Sequence, residues 1–379
     1  MSTHTPTLLA SVPKSSRIIE IGPSFNPIAP RSQGWNSATV DHMTREGLVE
    51  KYRQQPHIDV NRIEPVDFVW TGGLLSDAVP PEQHGSFDVL LASHMIEHTP
   101  DFVAFFDAAE LLLKETGTVI LVVPDKRFCF DYFQQVTTTG QVLAAHVGKH
   151  SLHPGPRAFD HFAYAITDGG AESWASRPSH GTRFIHSLEM AHQSYRLFDE
   201  SPVYQDLHAW HFVPPSFELL LLELARLGET DWRIERITPT AGWEFFVWLR
   251  RGAREQAAAM TAEELDNRRV TLLKRILLEN QAQIDLLLAG ASDPTTEQAR
   301  RATEGSFAVL ETQAALARTE AENAELRNRV SAAEASGSAA TQRLAAFEQS
   351  TFWRATALFR GAVDRVRHAK ATRAGSTGR

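Results

Sequence analysis

At 379 residues the chain is too long for one ordinary domain and suits one large domain with extensions. An apolar fraction of 42% supports a sizeable core, and a net charge of −8 excludes a chain built as a whole to coat nucleic acid. The single cysteine, Cys129, excludes an internal disulfide framework and a cysteine-based zinc cluster, and it fits a reducing, cytoplasmic compartment. No run of 18 apolar residues occurs, so no spanning helix is expected. Residues 1–16 have no basic start followed by a long apolar stretch and read as a short flexible lead.

From residue 17 the pattern alternates. "RIIEI" (17–21) stops at Gly22, "ATVDH" (38–42) contains Asp41, and "VDFVW" (66–70) is stopped by Gly72 and Gly73. "FDVLLAS" (87–93) and "GTVILVVPD" (117–125) follow. Such continuous runs of Val, Ile and Leu suit parallel strands buried on both faces. Between the last two, residues 101–117 have helical spacing, with Asp101 as N-cap and Gly117 as stop. Strand, helix and strand with short connections predict an α/β, doubly wound, Rossmann-like sheet. Residues 125–215 break the rhythm and read as a cap or insertion rich in His, Phe, Tyr and Gly. Residues 215–228 form an amphipathic helix, and "WRIERITPT" and "WEFFVWLRR" close the domain near residue 251.

Residues 252–290 are predicted helical, with "TAEEL" as a capping-box-like start. After a linker, residues 297–349 fit a heptad with Val309, Leu316, Asn323, Val330 and Leu344 at a, and Leu326, Ala333, Ala340 and Phe347 at d. This is the pattern of a coiled-coil extension and a homo-oligomer, with a buried Asn fixing register; a solvated single helix is the alternative. Residues 350–370 place Phe352, Trp353, Leu358, Phe359, Val363 and Val366 on one broad face among basic residues. That suits a peripheral helix on an anionic membrane surface, here the inner membrane face, or a tail docked on its own protein. Residues 371–379 read as a disordered tail.

A parallel strand that ends on a small-residue turn opens a ligand crevice at its carboxyl end. Gly22 lets the backbone approach a ligand, and Glu20 can accept from an ammonium group or organise the loop. Asp41 follows roughly 20 residues on, where an acid binds ribose hydroxyls in nucleoside-binding sheets. The turn is G-P-S-F-N-P, and its prolines lack amide donors for a pyrophosphate. A nucleoside without phosphates fits better than a nicotinamide dinucleotide.

"IIEIGPSFNP", "VDH", "VDFVW", "FDVLLASHMIEHTPD" and "LLLKETGTVILVVPDKRFCFD" together resemble the ordered motifs of Rossmann-like S-adenosylmethionine-dependent methyltransferases, over residues 17–131 and the closing strands. The resemblance implies S-adenosyl-L-methionine as cofactor. It implies that Glu20 and Gly22 contact its methionine part, that Ser24 and Asn26 line the loop, and that Asp41 holds the ribose. Gly73 and Leu74 would flank the adenine, with Ser93 and His94 beside the sulfonium. Asn26-Pro27 stands where many relatives have a further glycine. A coiled-coil scaffold with a catalytically degenerate domain of this type is the alternative.

A hydroxyl acceptor needs its proton removed, and His is the usual base near neutral pH. Of the 16 histidines, His208, His211 and His94 are the candidate bases. Arg127, Asp131 and Trp210 are candidates for binding the acceptor, with Trp210 as a platform for a sugar ring. Their alternatives are a local ion pair and core packing. The spacing of His94 and His98 is poor for a metal, so no metal ligands are expected, and Glu97 and His98 read as local packing. "STFWRATALFR" (350–360) resembles the tail of bacterial cell-surface glycan enzymes, with Leu358 where a proline is usual. It points to a saccharide or lipid-linked glycan acceptor in polysaccharide biosynthesis.

Overall fold

The computed structural model describes residues 5–56, 58–168, 171–172, 182–200 and 204–289. The expected coiled coil (297–349), basic helix (350–370) and tail (371–379) lie outside the described residues.

The seven expected strands all form. They are β1 (Ile18–Ile21), β2 (Ser37–Asp41), β3 (Phe68–Val69), β4 (Phe87–Ser93), β5 (Leu113–Pro124), β6 (Trp232–Ile237) and β7 (Glu244–Arg251). Their order in the sheet is β3-β2-β1-β4-β5-β7-β6. The first five are parallel, and β7 runs antiparallel to both β5 and β6. This is the mostly parallel, doubly wound sheet with a closing antiparallel strand that the alternating pattern predicts.

Alternation along β4 and β5 shows why those runs are apolar throughout. Leu90, Ala92, Val119, Leu121 and Val123 face a core with Phe102, Phe106 and Phe217. Val89, Leu91, Ile120 and Val122 face the other side, with Ile28, Trp35 and Trp248. Leu8 and Leu9, in the segment expected to be a flexible lead, are buried on that second side, and the Trp248 indole N–H donates to the Leu8 carbonyl at 3.2 Å. The physical reason is that only a single 3-10 turn, Arg31–Gln33, and no α-helix lies between β1 and β2: residues 22–30 contain Pro23, Pro27 and Pro30, which supply no amide donors, so other apolar groups cover the sheet.

The first labelled helix, α1 (Arg45–Tyr52), starts at Thr44, whose side chain accepts from the Gly47 amide. In α2 (Phe102–Leu112) the Asp101 carboxylate accepts from the Ala104 amide at 3.0 Å, as expected of the N-cap. The helix ends at Leu112 and not at Gly117, which lies inside β5. Leu113 is already extended and pairs with Phe87, so strand pairing begins before the glycine.

The insertion is more regular than its sequence suggests. It holds α3 (Thr139–Val147), α4 (Gly155–Tyr164), α5 (Leu188–Glu200) and three short strands in a small antiparallel sheet. A capping box starts α3: the Thr138 amide donates to Gln141 at 3.0 Å, and the Gln141 amide donates to Thr138 at 3.4 Å. Then α6 (Pro214–Leu227) ends at Gly228, with φ +84°. The segment expected to be helical over 252–290 is broken at Met260–Thr261 into a short helix, Ala253–Ala259, and α7 (Ala262–Ala289). Thr261 and Glu264 exchange the two capping hydrogen bonds at 2.8 and 3.2 Å. Arg269 and Arg275 of α7 pair with Glu223 and Glu218 of α6. Near its end, Gln283 accepts from Lys126 at 2.9 Å, and its carbonyl accepts from the Tyr132 hydroxyl at 2.9 Å. So α7 straps down the segment that follows β5. Among the described residues no helix is long and apolar enough to cross a membrane.

Candidate active site

The sheet order reverses between β1 and β4, and in open α/β sheets the carboxyl ends on either side of that reversal frame a ligand crevice. On the β1 side Gly22 (φ +64°) and Ser24 (φ +47°) turn the chain in the left-handed region. A side chain at Gly22 would be strained there whatever the space beside Met95. Glu20 is buried, and its two oxygens accept from the Ile28 amide at 2.6 Å and the Ala29 amide at 3.1 Å. Its shown role is therefore to organise the loop. Burial pushes its carboxyl up to about 7, against those two amides, which favour the charged form.

Asp41 ends β2 in a buried position. One carboxylate oxygen accepts from the Ser24 amide at 2.8 Å, and the other accepts from the His42 amide at 2.8 Å and lies 2.6 Å from His42 Nδ1. Asp41 thus holds the turn after β1 at the edge of the crevice. Asn26 accepts from Arg62 at 3.2 Å on the same loop. The Gly73 carbonyl accepts from the Trp70 indole at 3.2 Å, and Leu74 is exposed.

On the β4 side Ser93 ends the strand and His94 follows with φ +50°, a conformation rarely adopted by residues other than glycine. His94 Nε2 lies 2.7 Å from a Glu244 carboxylate oxygen at the start of β7. A carboxylate only accepts, so Nε2 carries a proton. Beside His94 opens a cleft of about 440 Å³ lined by His94, His98, Phe130, His161, Leu207, His208, Asp206 and Trp243.

Segments distant in sequence meet in its wall. The Glu97 carbonyl accepts from the Ala209 amide at 2.7 Å and the Trp210 amide at 3.3 Å, which ties the turn after β4 to residues 208–210. Asp125, after β5, bridges to Phe212, which ties in the third segment. Asp131 is buried and accepts from His208 Nδ1 at 2.5 Å, with His211 Nε2 at 3.5 Å from its other oxygen. Burial works to raise the Asp131 carboxyl, yet His208 and His211 hold it well below the usual carboxylate range. Burial pushes His161 down to about 3, so its ring in the wall is neutral.

The structure brings His94 and His208 to the cleft and sets His211 behind His208. It corrects three acceptor-side expectations. Trp210 is buried and its indole N–H donates to the Thr99 carbonyl at 2.6 Å, so it belongs to the core. Arg127 spends its guanidinium on Asp125, at 2.9 and 2.6 Å, and on Glu279. Asp131 orients histidines from behind the wall. The aromatic face actually presented to the cleft is that of the partly exposed Trp243, together with Phe130. The sequence reading missed Trp243 and Asp206, although Asp206 stands two residues before His208; His161, in the stretch "FDHF", was a further candidate base and does line the cleft.

No family model matches the chain, and no curated protein matches it. Among solved structures it is similar to a SAM-dependent methyltransferase from Methanosarcina mazei at 13% identity, over 65% of this chain and 97% of that one, with a TM-score of 0.34. An S-adenosylmethionine-dependent methyltransferase from Mesorhizobium loti matches at 13% identity over 65% and 97%, with a TM-score of 0.33. A chain named for the Zn-dependent alcohol dehydrogenases, from Rhodobacter sphaeroides, matches at 14% identity over 66% and 90%, with a TM-score of 0.35. Likeness at this level assigns no activity.

Proposed function

We propose that the chain is an S-adenosylmethionine-dependent methyltransferase whose acceptor is a saccharide hydroxyl on a cell-surface or lipid-linked glycan. One observation carries the reading: the loop after β1, held by Glu20 and Asp41, opens at the sheet's reversal beside a cleft that presents His94 and an exposed indole face. The ordered motifs of residues 17–131 and the tail motif of residues 350–360 support it.

The residues fit the cofactor. Positive-φ Gly22 and Ser24 bring backbone close to the crevice, and a buried carboxylate stands at the end of β2. Bound there, the cofactor supplies an activated methyl group on a sulfonium. The chain's own contribution is alignment, exclusion of water and removal of one proton. His94 lines the cleft and is placed for the last, with Glu244 fixing its ring. Trp243 offers the apolar face on which a sugar ring stacks, the role that the sequence suggested for Trp210.

Calorimetric titration with S-adenosylmethionine tests the cofactor. Asp41→Ala is expected to weaken binding by about 1.5–3 kcal/mol, the range for hydrogen bonds to a charged group. His94→Ala should leave that affinity unchanged and lower turnover on a glycan acceptor by roughly 100-fold or more. No binding to the folded wild type would leave the scaffold reading instead.

A further inference from the structure

Glu97 is fully buried, and neither of its carboxylate oxygens has a hydrogen-bond partner among the described residues. A buried carboxylate in that state is costly unless a cation compensates it. Three imidazoles face it. His98 Nε2 lies 3.8 Å and His208 Nε2 3.9 Å from Glu97 Oε1, and the ligating atoms of the three residues all lie within 4.8 Å of one another. His94 Nδ1 is 3.7 Å from the same oxygen.

The far side of each ring is set by a carboxylate. His208 Nδ1 is 2.5 Å from Asp131, and His98 Nδ1 is 2.8 Å from Asp206. Because Asp131 only accepts, His208 Nδ1 carries a proton and its Nε2 is the atom turned toward Glu97, whereas the His98 Nδ1–Asp206 approach lacks the alignment of a hydrogen bond. Separations of 3.8 and 3.9 Å are too long for hydrogen bonds. Donor atoms sharing one tetrahedral zinc at roughly 2.0–2.2 Å stand about 3.3–3.6 Å apart, so the two Glu97 separations would contract by a few tenths of an ångström, and the pair of imidazoles would close from a separation of no more than 4.8 Å. A histidine whose Nε2 binds metal while its Nδ1–H donates to a carboxylate is the usual supporting arrangement of such sites.

We propose that Glu97, His98 and His208 bind a divalent transition-metal ion, zinc by the character of the two-histidine, one-carboxylate set. A fourth position faces the cleft, since His98 and His208 line it. This departs from the expectation of no metal ligands, which rested on the spacing of His94 and His98 alone. His208 stands 110 residues from His98 and joins the cluster only through the fold. The inference rests on the cluster's geometry and does not require the methyl-transfer reading.

The test is metal content. Tag-free full-length protein is saturated with zinc sulfate, desalted and analysed by mass spectrometry. About one zinc per chain is expected. Glu97→Gln and His208→Ala should each fall below a tenth of that, and the exposed His192→Ala should retain it. Asp206→Asn, a change behind a ligand, should weaken zinc roughly 10–100-fold in chelator competition. Added zinc should raise the melting temperature of the wild type and not that of Glu97→Gln. Should the variants fail to fold, cobalt(II) added to the wild type decides: visible bands of a bound ion, abolished by zinc, support the site. A wild type holding less than a tenth of a zinc and giving no cobalt bands overturns it. So does a full zinc content in both folded ligand variants. Cofactor titration on the same samples separates the two readings, because neither measurement needs the other ligand.

Discussion

Asp131→Ala is expected to destabilise the protein by about 1.5–3 kcal/mol, the range for losing a buried hydrogen bond to a charged group. The carboxylate is 2% exposed and sits between His208 Nδ1 and His211 Nε2. Without it, two buried rings face a void, and the His208 Nδ1–H loses its acceptor. The pH dependence follows from the direction of the shift. The folded-state pKa of Asp131 lies below its unfolded value near 3.8, so the native state binds fewer protons than the unfolded state. The stability it supplies is present above that value and is lost as pH falls through the folded pKa. Urea denaturation at pH 7 should therefore show the full gap between wild type and variant, and the gap should close as pH falls below about 4. Equal midpoints at pH 7 would mean that Asp131 contributes no net stability.

Trp210→Ala is expected to cost about 3–5 kcal/mol, the range for emptying a large buried aromatic site. The indole is 2% exposed and packs edge-on against Phe102 with ring centres 6.4 Å apart. The Arg157 guanidinium lies 4.6 Å from the ring centre, and the N–H is held by Thr99. Trp210→Phe keeps most of the volume and should cost less, mainly the indole hydrogen bond. Both variants, where folded, should bind cofactor as the wild type does. A Trp210→Ala protein with wild-type stability and a changed acceptor KM alone would return this residue to the acceptor pocket.

The elements most legible in the sequence are those whose signals are local. Five apolar runs became five parallel strands because a strand buried on both faces must be apolar where it is buried, as β4 is over Val89–Ala92 and β5 over Val119–Val123. Asp101, Gly228 and the Thr261–Glu264 pair marked helix ends because caps act within one turn. The capping box at Thr138 was there to be read and was overlooked amid the irregular composition around it. Leu8 and Leu9 were illegible for another reason, since their burial depends on Trp248, 240 residues away.

For the candidate site, the sequence by itself determined the residue types near the strand ends: the turn at Gly22, the acids at Glu20 and Asp41, and histidines after β4 and before α6. Which of them face one another was decided by the tertiary structure alone. Trp210 and Trp243 are equivalent as letters. Packing buries one under Phe102 and leaves the other in the cleft wall. His94 and His98 lie within three residues of Glu97 in sequence, but a third ring facing its buried oxygen belongs to His208, returned there by backbone bonds from Ala209 and Trp210 to the Glu97 carbonyl. Periodicity and caps are short-range and are written in adjacent residues. A cluster of buried charges depends on which strand ends the sheet places side by side, and that order is set by the burial of all seven strands at once.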